Sequence, residues 1–264
     1  MRELFDDNAD QPEINPIEAA RRSARAVQRK RFYANAGVAE SDGGYTVTLD
    51  RKPIKTPSGR TVIVPVRSLA EMAAAEWNAQ AEFIDPLTMP VTRLANSVVQ
   101  GVIDNVSAVT DDVAKYFASD LLFYRAGHPE ALVAREAQHW DPVLFWAAET
   151  LGAHFILAEG VMHVRQPESA IAAARAALPT DPWAIAALHV ITTVSGSALL
   201  ALALLHRAIE PDQAWAAANV DEDWNAETWG VDEEVAARKA AKLVDFRAAM
   251  DVLKALPDVW SRSG

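Results

Sequence analysis

The chain changes its hydrophobic period near residue 95, and this limits its possible folds more than any other feature. Before that point strand signals dominate. Tyr45 to Leu49 is β-branched and alternating, and the turn residues Asp42, Gly43 and Gly44 precede it. A short second run covers Pro53 to Thr56. Proline has no N–H to give a ladder, so this run starts a strand or lies at an edge. Pro57, Ser58 and Gly59 form a turn, and Thr61 to Val64 is a third strand. Three short strands this close together predict an antiparallel meander. One helix follows. Ser68 stands at its N-cap and Glu71 at the capping-box position, with Leu69, Met72, Ala73, Glu76 and Trp77 at helical spacing. Asp85-Pro86 and Met89-Pro90 end it and predict an extended connection. With Leu94 and Ala95, the segment from Asp85 to Asn96 is expected to seal the two parts of the chain together.

From about Leu94 onward the pattern is helical. One segment runs from Leu94 to Val106. Thr110, Asp111 and Asp112 open another, whose Val113, Tyr116, Phe117, Leu121 and Leu122 share a face. Pro129-Glu130 starts a third, with an N1 proline and an acid in the first turn, broken at Asp141-Pro142 and resumed through Trp146 to Leu151. Further helices are expected over Pro167–Leu178, over Pro182–Arg207 with a break near Gly196, after Pro211, and over Asp232–Leu256. Trp77 and Trp140 read as packing residues. Alanine, the best helix former, is abundant throughout this half. The expected architecture is α+β: a small antiparallel β-rich N-terminal domain (31–95) followed by a larger all-helical C-terminal domain (96–264). An N-terminal arm (1–30) precedes them.

Composition removes several classes of function. Half of the 264 residues are hydrophobic, enough for a sizeable core. Lys and Arg total 25 against 36 Asp and Glu, and a net charge of −11 disfavours non-specific nucleic-acid binding. The absence of cysteine excludes disulfides, thiolate zinc sites and cysteine nucleophiles. Residues 1–20 mix acids with Arg2 and lack an apolar core, so they do not make a secretory signal. With the basic run at 21–31 they read as an exposed helical arm. The longest apolar stretch, Ala184 to Leu205, is interrupted by His189, Thr192, Thr193, Ser195, Gly196 and Ser197. It reads as a buried core helix broken near Gly196, not as a membrane span.

A search for chemistry returns little. Neither glycine-rich phosphate loop occurs, nor does a Gly-x-Ser-x-Gly elbow. None of the six histidines lies four residues from another. Glu136 and His139 have the Glu-x-x-His spacing of di-metal helical bundles, but no second copy exists, so they read as a partly exposed polar face. His189 and His206, on apolar segments, read as hydrogen-bonded core residues.

The most unusual composition lies between Val220 and Glu234. Asp221, Glu222, Asp223, Glu227, Asp232, Glu233 and Glu234 occur with no base among them, interleaved with Trp224 and Trp229. Two readings stay open. In one, Asp232, Glu233 and Glu234 sit at a helix N-terminus and Gly230 ends the preceding helix. In the other, the cluster is a docking surface: tryptophans anchor a partner while acids steer it. A di-carboxylate hydrolase would need a pocket that separates two carboxyl pKa values, and nothing in the sequence shows one.

Ordered short motifs give a further handle. Arg31-Phe32-Tyr33, the run Leu49 to Pro57, Val64-Pro65, Leu69-Ala70, Glu76 to Gln80, Thr88 to Asn96, Tyr124-Arg125 with Pro129-Glu130, Trp140 to Pro142 with Trp146, and Glu222 with Trp229-Gly230 follow one another. In this order they resemble the family of assembly chaperones for the alpha subunit of F1-ATPase, over about residues 30 to 250. The resemblance implies a non-enzymatic chaperone that binds the unassembled alpha subunit, prevents its aggregation and releases it to the beta subunit. It implies no cofactor, metal, nucleic acid, small-molecule substrate or membrane insertion. It places the protein in the bacterial cytoplasm, or in the mitochondrial matrix if eukaryotic. Glu222, Asp223, Trp224, Glu227 and Trp229 are the expected partner-binding residues. Two departures stand out. The His-Asp pair usual in eukaryotic members after Trp-Gly is replaced by Val231 to Val235, and Trp224-Asn225 stands where an aromatic and a glutamine are usual. The alternatives are a carboxylate hydrolase or metal enzyme, and a scaffold with a different partner.

Overall fold

The computed structural model describes residues 29–160 and 162–256, so the expected arm lies almost entirely outside the described residues. The sheet begins earlier than its composition suggests. Strand β1 (Ala36–Ser41) pairs antiparallel with β2 (Gly44–Leu49), from Ala36 opposite Leu49 to Ser41 opposite Gly44. Alanine, glycine and glutamate are weak strand formers, and only the pairing with β2 makes this segment a strand. At Gly44 a side chain would bring its Cβ to 2.2 Å from the Val64 carbonyl oxygen, so the turn requires glycine there. β3 (Lys52–Pro53) lies on the other edge of β2 beside Thr48 and Leu49. Further along that edge Tyr45 and Val64 exchange both backbone hydrogen bonds, at 2.9 and 2.8 Å. The expected strand at Thr61–Val64 is therefore reduced to bridges at its two ends.

The inner face of the sheet, with Val47, Leu49, Ile54, Val62 and Val64, is buried against helix α1 (Arg67–Ala79) through Leu69, Ala70, Ala73 and Ala74. The expected Ser68–Glu71 capping box does not form. Arg67 is already helical and has no side-chain cap before it, and its guanidinium takes the Glu71 carboxylate at 2.9 Å.

The last turns of α1 fasten three neighbouring segments. The Asn78 amide accepts from Ala36 N at 2.8 Å and donates to Ala36 O at 2.9 Å, which fixes the start of β1. The Gln80 amide donates to Thr88 Oγ1 at 3.1 Å and accepts from Asp85 N at 2.7 Å. Tyr33 Oη donates to Trp77 O at 2.5 Å, and Arg31 donates to the carbonyls of Tyr33, Ala34 and Gln80. Asp85 caps a single turn at Pro86–Thr88, and α2 (Pro90–Ser97) starts immediately afterwards. The expected extended connection is thus a helix start, because proline suits the first helical position, where no N–H partner is needed. The first-turn N–H groups of Val91 and Thr92, which have no acceptor within the helix, donate to the Glu76 carboxylate at 2.7 and 2.8 Å, and Thr92 Oγ1 adds a third bond at 2.7 Å.

After a wide turn at Val98–Val102 the chain is built from α3 (Val106–Lys115), α4 (Glu130–Leu151), α5 (Glu168–Ala176), α6 (Pro182–Ser195), α7 (Ala198–Leu205), α8 (Pro211–Ala218), α9 (Val220–Trp229) and α10 (Glu233–Ala255). Thr110 to Asp112 lie inside α3 instead of opening a helix. Pro142 does not break α4. Packing on both sides of it outweighs the lost hydrogen bond: Trp140 and Val143 are buried, and Trp140 Nε1 donates to Ala217 O at 2.7 Å. Gly196, at φ +74°, ends α6, and Ser197 caps α7 by accepting from Leu200 N at 3.0 Å. Every residue of α7 is buried, and α10 packs along α6. The buried side chains run as one cluster from Tyr33 to Leu256, and residues 95 and 96 lie inside α2. A parallel pair of two-residue strands, β4 (Tyr124–Arg125) and β5 (Ala158–Glu159), completes this α+β fold. No helix among the described residues is long and apolar enough to cross a membrane.

Glu76→Ala leaves the Val91 and Thr92 N–H groups without their acceptor and is expected to cost about 2–4 kcal/mol. Glu76→Gln keeps one acceptor and should cost less. A drop in the urea midpoint at unchanged m-value measures both.

Candidate protein-docking surface

The acid-rich segment folds into two helices joined by a tight turn. α9 opens with Asp221, Glu222 and Asp223, which its positive N-terminal end favours. Gly230, at φ +96°, ends it, and Asp232 caps α10 by accepting from Glu234 N at 2.8 Å and Val235 N at 3.2 Å. The helix-terminus reading of Gly230 and Asp232 therefore holds.

The bases missing from this stretch arrive from neighbouring helices. Glu227 takes both guanidinium nitrogens of Arg135 on α4 at 2.7 and 2.8 Å, which holds its carboxyl below the usual range. Asp223 pairs with Lys239 of α10. Glu222 stands 4.0 Å from Lys242, also on α10. Arg135 lies 92 positions before Glu227, so no local sequence pattern reveals that pair.

Each expected docking residue thus has a different setting. Trp229 is 83% exposed, and Val231, at 71%, extends the apolar surface across the α9–α10 turn. Glu222 is exposed and loosely paired. Asp223 and Glu227 are held by their bases, and Trp224 is half-buried.

Asp221 turns inward, although it reads as one of the surface acids in the sequence. Its Oδ1 is buried without a hydrogen-bond partner, beside Glu136 of α4. Glu136 is itself only 2% exposed and accepts from Ala126 N at 2.9 Å. Burial, with the Asp221 carboxylate as a smaller contribution, pushes its carboxyl up to about 6. The expected polar face at Glu136 and His139 is therefore half wrong: His139 is partly exposed, but Glu136 lies in the interior. Among the described residues no three His, Asp or Glu side chains gather to hold a metal. His189, expected in the core, is partly exposed and meets Asp112 Oδ2 at 2.8 Å. His206 lies against Trp146 at 5.6 Å with its buried Nε2 unpartnered.

Concave regions lie elsewhere among the described residues. A 490 Å³ pocket among α2, α3, α6 and α10 contains the Arg93–Asp245 and Asp112–His189 pairs, and Asp112 also accepts from Lys115 Nζ at 2.9 Å. A 930 Å³ groove runs along β3 and the C-terminal end of α1.

The chain is similar to known proteins in sequence and fold. The ATP12 chaperone protein family model matches residues 30–148. The Atu1473 protein of Agrobacterium tumefaciens is 47% identical, with 92% of each chain covered and a TM-score of 0.82. Atp12 from Paracoccus denitrificans is 38% identical over 86% of this chain and 97% of its own, with a TM-score of 0.78. Protein atp12, mitochondrial, of Schizosaccharomyces pombe is 20% identical over 214 residues, 76% of this chain and 74% of the relative. The α+β fold with its sheet at the N-terminal side is thus that of solved chaperones. The chain belongs to the ATP12 chaperone family.

The buried Glu136 carboxyl makes folding depend on pH in a stated direction. A carboxyl whose folded value is raised favours the folded state while protonated. That contribution is lost as pH rises from the ordinary glutamate value through about 6. Glu136→Gln keeps an acceptor for Ala126 N and offers Asp221 a donor. It should flatten the fall in stability across this window and leave the variant up to about 2 kcal/mol more stable at neutral pH. Urea midpoints taken from pH 5 to pH 7.5 would show it.

Proposed function

We propose that this chain is a non-enzymatic ATP synthase assembly chaperone that binds the unassembled alpha subunit of F1-ATPase, prevents its aggregation and releases it to the beta subunit. The observation that carries this reading is the exposed Trp229, with Val231 beside it, at an acid-flanked turn in a member of the ATP12 chaperone family. A large indole left in water is a ready anchor for a partner. Glu222, Asp223, Trp224, Glu227 and Trp229 form the proposed partner-binding set. Within it Trp229 and Glu222 meet the client, while Asp223 and Glu227 brace α9 against α10 and α4.

The balance of forces suits transient cover. Rim acids raise the encounter rate more than the affinity, so a subunit with a larger complementary interface displaces the chaperone without ATP. Residues 31–95 and 96–264 act in this reading as two functional units, one of them carrying the docking helix. Its place is the bacterial cytoplasm, or the mitochondrial matrix if eukaryotic.

Trp229→Ala should weaken capture of the alpha subunit in a co-expression pull-down by at least about tenfold, and Glu222→Lys should slow it in a salt-dependent way. Stoichiometric wild-type protein should suppress light scattering by the isolated subunit without nucleotide. Undiminished recovery with both variants would remove the assignment.

A further inference from the structure

The bases of this acidic protein are unevenly placed. Between residues 29 and 67 stand Arg29, Lys30, Arg31, Arg51, Lys52, Lys55, Arg60 and Arg67, against only Glu40, Asp42 and Asp50. Several are occupied: Lys30 by Glu82, Arg60 by Asp104, Arg67 by Glu71, and Arg31 by backbone carbonyls. Arg29, Lys52 and Lys55 have no ion pair among the described residues, and all three line the 930 Å³ groove. Its one carboxylate, Asp50, accepts from Ala34 N and Asn35 N, each at 3.0 Å, and is tied to the turn.

The groove between these cations is apolar and aromatic. Ile54 and Ile84 are buried at its base. Along one wall Arg29 lies 4.5 Å over the Phe32 ring, Phe32 meets Tyr33 edge-on at 5.5 Å, and Tyr33 meets Trp77 edge-on at 5.6 Å. Phe32 is 57% exposed. Two polar atoms of lining residues, Trp77 Nε1 and Asn96 Oδ1, are buried with no hydrogen-bond partner. One is a donor and the other an acceptor. A peptide backbone carries both complementary groups.

We infer that this groove is a second docking site, and that its occupant is an extended polypeptide segment carrying carboxylates on either side of an aliphatic or aromatic residue. The apolar side chain fills the space over Ile54 beside Phe32, and the carboxylates meet Lys52, Lys55 and Arg29. The buried Ile54 and Ile84 at the base call for an apolar side chain between the charges, which a peptide supplies and a phosphate backbone does not. This site is opposite in sign to the α9–α10 surface. It goes beyond the reading given above and does not require that the client be the alpha subunit.

The test uses the full chain and a short fluorescein-labelled peptide alternating glutamate with phenylalanine and leucine, read by fluorescence anisotropy. The same peptide with lysine for glutamate serves as its counterpart. The acidic peptide should bind at least about tenfold more tightly than the basic one and lose affinity as salt rises. The double variant Lys52→Glu/Lys55→Glu should reverse the preference. Phe32→Ala should weaken both peptides without changing the urea midpoint. Glu222→Lys and Trp229→Ala should leave acidic-peptide binding intact, which separates failure here from failure of the α9 assignment. Equal affinity for the two peptides, or no response to the lysine reversal, would overturn the proposal. So would displacement of the peptide by a single-stranded oligonucleotide, or binding seen only after removal of residues 1–28, which would give the groove to another occupant.

Discussion

One carboxylate sits where the β-bearing part of the chain meets the helical part. Glu76 projects from the helix that backs the sheet and receives two backbone N–H groups and a hydroxyl at the start of the next helix. A helix N-terminus needs acceptors for its free donors, and here the preceding helix supplies them. This fixes the angle between α1 and α2, and through α2 the position of the sheet on the helical body. Burial raises the Glu76 carboxyl above its ordinary range even with three donors around it. The clasp is thus kept for geometry and not for cheap electrostatics. Asn78 and Gln80 extend it by holding β1 and the turn at Asp85.

The architecture was legible in the sequence wherever local pattern and packing agree. Val47 and Leu49 alternate and are buried on one face, and prolines at 182 and 211 open helices as their chemistry requires. The errors lie where tertiary partners override local signals. β1 is a strand because β2 is its neighbour. Pro142 stays inside a helix because Trp140 and Val143 anchor both sides. Met89-Pro90 starts a helix because Glu76 waits for its donors. The short strands β4 and β5 leave no local signal at all, since two residues cannot show a period.

The proposed docking surface was only half readable for a similar reason. Composition singled out the acids and the two tryptophans of α9. It could not tell a bare acid from a paired one, because Arg135, Lys239 and Lys242 come from elsewhere in the chain. Nor could it separate Asp221, turned toward Glu136, from Glu222 beside it, which faces water. What looked like one block of repelling charge is a braced helix with one apolar tip. The bracing draws on α4 and α10 together, so the tip is held from two sides.

Helix α7 has no polar face, and α6 before it is covered along much of its length by α10, the last helix of the described chain. On a ribosome α10 emerges after α6, the helix it covers. For that interval the apolar side of α6 lies bare and open to aggregation. A member of a chaperone family built this way starts out in need of cover itself, and α10 supplies it.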